Sequence, residues 1–396
     1  MRGAEAVLAC LREQGVDTVF GYPGGMILPL YDALYGQTEI RQILVTHEQN
    51  AAHAADGYAR ATGRVGVCIA TSGPGATNLV TGIATAYMDS IPMVAITGQV
   101  DLEMLGRDAF QETDILDVTM PVTKHNYKVK NSADLVPIIR EAFDLARSGR
   151  PGPVLIDVPR NLFFEEVAYA EQKREERRPG KPDADFAICA AEAAAEIVNA
   201  ERPLVIVGGG VISAGASAQA IAFIEKYKLP VVHTLMGMGG IPSTHPQMLG
   251  FIGMHGAKTA NYAVGAADLV IALGSRFADR QTGNLSKFTA NRKFIHIDID
   301  PAEIDKIVGS SIGLAGDMCV ILNLLMRQAP KSDYAAWWQQ LHTWQEEFAY
   351  DYHSDALSVP WALNQVARMT AGKAYAYATD VGQHQMWAAQ FFGCTE

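Results

Sequence analysis

Cysteine is scarce in this chain, and the five that occur (Cys10, Cys68, Cys189, Cys319 and Cys394) are scattered, with no CxxC pair and no regular spacing. The pattern argues against a zinc site or a disulfide framework and for reduced thiols in a cytoplasmic protein. Long hydrophobic runs are lacking too. No uncharged apolar stretch reaches 18 residues, and Arg2, Glu5 and Arg12 interrupt the N-terminal segment, so neither a membrane span nor a signal peptide is expected. Positive charge is thin: the net charge is −11, and the only basic run is the short KREERR at 173–178. Nucleic acid is therefore not an expected partner. What is present is ordinary globular material, 49% apolar and 19% charged over 396 residues. That length is too great for one core and predicts two or three domains.

Short apolar runs alternate with helical segments over the first 160 residues. Examples are VGVCIAT (65–71), PMVAITG (92–98) and PVLIDVP (153–159), each closed by Gly, Pro, Ser or Thr. Such alternation predicts an α/β fold with a parallel sheet covered by helices. The aperiodic polar stretch EQKREERRPGKPDAD (171–185) reads as a linker. A second α/β block follows, with strands expected at LVIVGGG (204–210), PVVHTL (230–235), LVIALGS (269–275) and FIHIDID (294–300). The expected organisation is a domain over 1–165, a linker over 166–185, a domain over 186–329 and a second linker, rich in Trp and charge, over 330–358. The remainder, 359–396, would begin a third α/β unit with the strand AYAYATD.

The densest local signal is HEQNAAHAADGYARATG (47–63). It sets Glu48 at the seam between the strand residues Ile43, Leu44 and Val45 and an alanine-rich helix, in which Gly57 would allow close backbone approach. A carboxylate there sits at the positive end of a helix dipole, and alone it reads as a helix cap. Its company is GYPGG (21–25), TSGPGATN (71–78) and DAFQETD (108–114). In the second block, Gly208, Gly209 and Gly210 suggest a dinucleotide turn, but Ser213 stands where the third glycine of GxGxxG belongs.

Together these segments resemble the pyrimidine-binding domain of thiamine diphosphate enzymes, most closely the catalytic subunit of acetohydroxyacid (acetolactate) synthases. The resemblance continues in order through RPGPVLIDVP (150–159), GSRFADR (274–280), HIDIDPAEI (296–304) and VGQHQMWAAQ (381–390). It implies decarboxylation of pyruvate on thiamine diphosphate and condensation with a second 2-keto acid, pyruvate or 2-ketobutyrate, in branched-chain amino acid biosynthesis. By the same resemblance Glu48 is the carboxylate that hydrogen-bonds the aminopyrimidine ring, and Tyr22, Gly24, Gly25, Pro74 and Asn78 line its pocket. Phe110 and Gln111 would face substrate. Arg160 stands where the family usually has Lys near the substrate channel; it keeps the charge but not the geometry. Val381, Gly382, Gln383 and His384 match a loop near the cofactor diphosphate.

The family also implies FAD without net redox chemistry. The matching positions are Arg150, Gly208, Gly209, Gly210, Thr234, Leu235, Met254, His255, Gly274, Arg276, Asp279, Arg280, Asp298, Ile299 and Asp317. One departure touches them: the family's RFDDRVTG reads RFADRQTG, placing Ala278 and Gln281 where Asp and Val are usual. The magnesium ligands of the family lie in a GDG…N motif; no GDG occurs here, so a truncated subunit, inactive alone, is expected. A homodimer or homotetramer is implied, with a small regulatory subunit as a candidate partner. Two other readings stay open at this point: a sister thiamine diphosphate enzyme such as a pyruvate oxidase or a catabolic acetolactate synthase, and a non-catalytic flavin-binding or assembly module.

Overall fold

A computed structural model describes residues 1–172, 184–330, 333–350, 357–373 and 377–392. They fall into two compact units, Met1–Arg177 and Arg178–Glu396, each carrying a six-stranded sheet. In the first unit the strands are β1 (Thr18–Gly21), β2 (Arg41–Leu44), β3 (Gly66–Ala70), β4 (Met93–Gln99), β5 (His125–Lys128) and β6 (Pro153–Pro159). All pair in parallel, in the order β2-β1-β3-β4-β6-β5. The central strands β3, β4 and β6 are buried along their whole length, as the unbroken apolar runs require when helices cover both faces.

Strand alternation divides that burial between two cores. Val67, Ile69, Val94, Ile96, Val154 and Ile156 join the helices Gly3–Glu13 and Leu135–Arg147 on one face. Cys68, Ala70, Met93, Ala95 and Leu155 meet the helices Glu48–Thr62 and Val80–Asp89 on the other. The second face is built from small residues, and Ala51, Ala52, Ala55 and Ala59 let the Glu48–Thr62 helix lie close to the sheet. The glycines that permit this approach are not the expected one. A Cβ on Gly57 would meet nothing within 4 Å, whereas one on Gly66 would lie 2.1 Å from the Ala55 carbonyl oxygen and one on Gly82 2.4 Å from Ala52 Cβ. Glu48 is thus set by the packing of the helix it begins.

The second unit repeats the architecture with β7 (Pro203–Val207), β8 (Val231–His233), β9 (Met248–Phe251), β10 (Leu269–Leu273), β11 (Lys293–Asp298) and β12 (Ile312–Ala315). The order is β12-β11-β10-β7-β8-β9, again all parallel. Part of the stretch read as the second linker belongs to this core. Residues Ala335–Glu347 form a helix whose Trp337 and Leu341 are buried, with Trp337 Nε1 donating to the Pro203 carbonyl (3.1 Å). A Trp-rich helix docks because its large rings bury apolar area while the indole N–H keeps a hydrogen-bond partner. Of the first linker, 173–183 lies outside the described residues. Of the expected strand AYAYATD, 374–376 also lies outside and 377–380 forms no strand; the helices Val359–Thr370 and Gln383–Phe391 flank it. No helix among the described residues is long and apolar enough to cross a membrane.

One charged group sits in the middle of the first sheet. Asp157 of β6, registered against Thr97 of β4 and Lys128 of β5, is fully buried. Its carboxylate accepts from Thr97 Oγ1 (2.7 Å) and Gln99 Nε2 (3.0 Å). Burial pushes its pKa up to about 7, against the opposing pull of those two donors and Lys128, with Asp114 adding to the rise. The folded chain therefore holds this proton more tightly than the unfolded chain does. Stability of the first unit should fall as pH rises from about 4 to about 7 and lose nothing more from this group above that. Urea unfolding across that range should show the slope, and Asp157→Asn should flatten it. An equally steep slope in the variant would place the titration elsewhere.

Candidate cofactor sites at the carboxyl ends of the sheets

In a doubly wound sheet, ligands bind where the strand order reverses, outside the carboxyl ends of the strands. The first reversal lies between β1 and β3, so the loops 22–26 and 71–75 flank it. They touch through Thr71, whose Oγ1 accepts from the Met26 N–H (3.2 Å). A Cβ on Gly24 would lie 2.5 Å from the Thr71 methyl, and one on Gly75 would lie 2.7 Å from that methyl and 3.1 Å from Glu48 Oε1. Gly24 is therefore required by loop packing, while Gly25 faces open space. Gly73 adopts φ 57°, and a Cβ there would lie 2.5 Å from the Gln111 carbonyl oxygen. The DAFQETD loop is thus seated directly on the TSGPG turn.

Glu48 is the first residue of its helix but not its cap. His47 caps it, Nδ1 accepting from the Gln49 N–H at 3.1 Å. With its capping duty taken over, the Glu48 side chain turns inward to 8% exposure and is held by Asn78, whose Nδ2 donates to Oε2 at 2.9 Å. Oε1 accepts from none of the described residues. One oxygen is fixed and the other is open to a donor. Tyr22 and Pro74 are exposed on the two flanking loops. Phe110 is 81% exposed, beside Gln111 in the left-handed region at φ 58°. Arg160 follows β6 and stacks over the Phe164 ring at 5.4 Å. Arg150 donates from Nε to Ser90 Oγ (2.8 Å), within the first unit.

The second reversal lies between β7 and β10. Here the loops meet glycine to glycine. A Cβ on Gly208 would lie 2.1 Å from the Gly274 oxygen, and one on Gly274 would lie 2.5 Å from Gly210 Cα. The amides of Gly208 and Gly210 are already donated to the carbonyls of Leu273 (2.8 Å) and Gly274 (3.1 Å). Gly208 and Gly210 thus hold the loops together, and Gly209 opens the helix Gly209–Ser213. Thr234 and Leu235 follow β8, Met254 and His255 follow β9, Asp298 ends β11 with Ile299 after it, and Asp317 follows β12. Several of these side chains have local duties. Thr234 Oγ1 accepts from the Gly237 N–H (3.1 Å), Asp317 caps the helix Met318–Leu325 through the Val320 N–H (3.0 Å), and Asp279 pairs with Arg280 at 3.3 Å. Asp298 is buried, which raises its pKa. Arg276 is half-buried beside them. Val381, Gly382, Gln383 and His384 lead into the last helix, which Gly382 caps.

Residues not singled out from sequence complete the picture. Thr71 was hidden inside a turn motif; its signal is the pair of glycines that make room for its methyl, Gly24 of GYPGG and Gly75 of TSGPG. Gln99 and Asp157 were hidden in strands that otherwise read as apolar. Gln281, the departure from the family pattern, turns inward: its Oε1 accepts from Ser275 Oγ (3.0 Å) and its Nε2 is buried without a partner among the described residues. His296, whose Nε2 donates to the Ser275 carbonyl (3.0 Å), lies beneath the same loop, its pKa lowered by burial.

Two parallel α/β units with their loops gathered at the switch points, one of them presenting a buried carboxylate with a free oxygen, fit the class of thiamine pyrophosphate enzymes, and the family matches show that class. Residues 1–118 match the thiamine pyrophosphate enzyme N-terminal TPP binding domain, and 190–325 match the central domain of the same enzymes. The chain is 44% identical to the acetolactate synthase isozyme 3 large subunit of Escherichia coli over 99% of its own length and 70% of that protein's. It is 47% identical to the acetolactate synthase large subunit of Parasynechococcus marenigrum (98% of this chain, 64% of that one). To the probable large subunit of Methanocaldococcus jannaschii it is 45% identical (99% and 68%). The chain belongs to the acetolactate synthase large-subunit family, and spans about two thirds of the length of these curated relatives.

Ala278 gives a prediction of its own. It occupies the N-cap of the short helix Asp279–Thr282 and makes no side-chain cap. Asp at this position would accept from a first-turn N–H, so Ala278→Asp should stabilise the second unit by about 1 kcal/mol in denaturant unfolding. A neutral or destabilising result would mean that the loop does not need a cap.

Proposed function

We propose that this chain forms the pyrimidine-binding and FAD-binding parts of an acetolactate synthase, which decarboxylates pyruvate and joins the remaining two-carbon unit to pyruvate or 2-ketobutyrate. The observation that carries this reading is Glu48: buried, oriented by Asn78 through one oxygen, and open at the other. That arrangement fits thiamine diphosphate, because a carboxylate acceptor held rigidly in a low-dielectric crevice favours the ring tautomer that presents a proton to it. When bound, thiamine diphosphate supplies the carbon nucleophile for attack on the keto carbon. The protein's own groups orient and protect. Tyr22, Pro74 and the Gly24–Thr71 contact shape the crevice around Glu48. Phe110 provides an apolar wall for the pyruvate methyl, Gln111 a hydrogen bond for its oxygen, and Arg160 a cation for its carboxylate.

The donor set of the second unit fits FAD held for structure: Arg276 and Arg280 for the diphosphate, Gly209 for close backbone approach and buried Asp298 for hydroxyls. Residues 359–396 would begin the diphosphate-binding domain, with Val381–His384 near the diphosphate and magnesium held by residues of that domain. A homodimer or homotetramer, a small regulatory subunit and a cytoplasmic location complete the proposal.

In the holoenzyme, supplied with thiamine diphosphate, Mg²⁺ and pyruvate, Glu48→Gln should lower kcat for acetolactate formation by at least ~10²-fold, a typical loss for a positioned proton-transfer group. Turnover close to that of the unaltered enzyme would remove Glu48 from catalysis. For the flavin, Arg276→Ala should weaken FAD uptake by more than ~1 kcal/mol, as loss of a charge-assisted contact does. A protein that takes up no FAD at all would assign the second unit to a flavin-free branch.

A further inference from the structure

The centre of a parallel sheet is a costly place for a carboxylate and an amide, since two apolar residues would fill β4 and β6 equally well. Gln99 and Asp157 occupy it nonetheless, 1% and 0% exposed. The reason lies in what Gln99 reaches. Its Nε2 donates both to Asp157 Oδ2 (3.0 Å) and to the carbonyl oxygen of Thr113 (3.0 Å), and its Oε1 accepts from the Val100 N–H (2.9 Å). Asp157 Oδ1 is taken by Thr97 Oγ1, so the amide cannot turn over without leaving a buried group unpaired.

Thr113 is the end of the loop that carries Phe110 and Gln111. That loop does not hold itself. Asp108 and Gln111 both sit at positive φ (50° and 58°), a region non-glycine residues occupy only when their surroundings impose it. Glu112 braces its interior by accepting from the Gly106 and Ala109 N–H groups. At one point the loop rests on Gly73, where there is no room for a Cβ beside the Gln111 carbonyl. At its end it is tied to the sheet by Gln99.

We propose that Gln99, locked by Asp157, is a positioning residue that fixes the Phe110–Gln111 loop over the Glu48 crevice. The inference rests on the reading of Phe110 and Gln111 as the substrate-facing pair. An exchange of functional groups separates anchoring from sheet packing. In Gln99→Glu/Asp157→Asn, the Asn amide donates to the Glu carboxylate, Thr97 keeps its acceptor and Val100 keeps its own. Above the pH at which the introduced carboxyl ionises, the Thr113 carbonyl loses its side-chain donor and faces a carboxylate oxygen instead, so exchange is read there.

Hydrogen exchange should show amides 106–114 of the double variant exchanging at least tenfold faster, with protection in β4 and β6 unchanged. Gln99→Leu, which removes the anchor but also leaves Asp157 Oδ2 and the Val100 N–H unpaired, should raise exchange more in the loop than in β4 and β6 should the double variant fail to fold. Thr97→Val, which leaves Gln99 in place, should leave the loop as it is. Unchanged loop exchange in the double variant, or an equal loss of protection across the whole unit, would overturn the proposal. In the holoenzyme the double variant should lower kcat/KM for pyruvate by at least tenfold. Faster loop exchange with kcat/KM unaltered would leave the anchor standing and withdraw the substrate role from Phe110 and Gln111.

Discussion

Everything at the business end of both sheets depends on a close contact between two loops at a strand-order reversal. In the second unit it is backbone against backbone, Gly208 and Gly210 on Gly274, with separations that no Cβ could enter. In the first unit one side chain, Thr71, fills the space between Gly24 and Gly75, its hydroxyl oxygen accepting from the Met26 N–H. A parallel sheet always delivers its loops to one edge, but it does not make them meet. Glycine does that here, and the meeting creates the crevice into which Glu48 turns.

Much of this architecture is legible in the sequence because the central strands are buried on both faces and so read as continuous apolar runs. β3, β4, β6, β7, β10 and β11 all fall within runs recognisable by eye. The strands that escape notice, His125–Lys128, Met248–Phe251 and Ile312–Ala315, are all short and at sheet edges, where composition carries little signal. The Trp-rich segment at 335–347 escapes for a different reason. Its apolar face consists of a few large rings among Gln, His and Thr, so composition suggests a connector while packing makes it part of the core.

The place of Glu48 at a helix start was legible in the sequence, but not the division of labour around it. Sequence placed Glu48 at a helix start, where a carboxylate ordinarily caps; only the structure has His47 capping and Glu48 facing inward against Asn78. In the glycine-rich turn of the second unit, two of the three amides are consumed in joining the loops, which spacing alone does not show. Gln99 and Asp157 could not be recognised at all. A polar residue in an apolar run has no pattern of its own, and its meaning lies in a hydrogen bond to a carbonyl 14 positions away. Such buried polar pairs couple the rigid sheet to the mobile surface chemistry above it, where apolar contacts alone would fix no direction.

The central claim is that Glu48 is a carboxylate divided between two tasks, one oxygen held by the protein and the other reserved for a cofactor. A crystal structure of the holoenzyme with thiamine diphosphate and Mg²⁺ tests it most directly. The account predicts that Oε2 stays on Asn78 while Oε1 lies about 2.7–2.9 Å from a ring nitrogen of the aminopyrimidine, the range of a charge-assisted hydrogen bond. A cofactor bound away from the β1–β3 switch point, or a Glu48 side chain turned to solvent with the pyrimidine ring held by other groups, would contradict it.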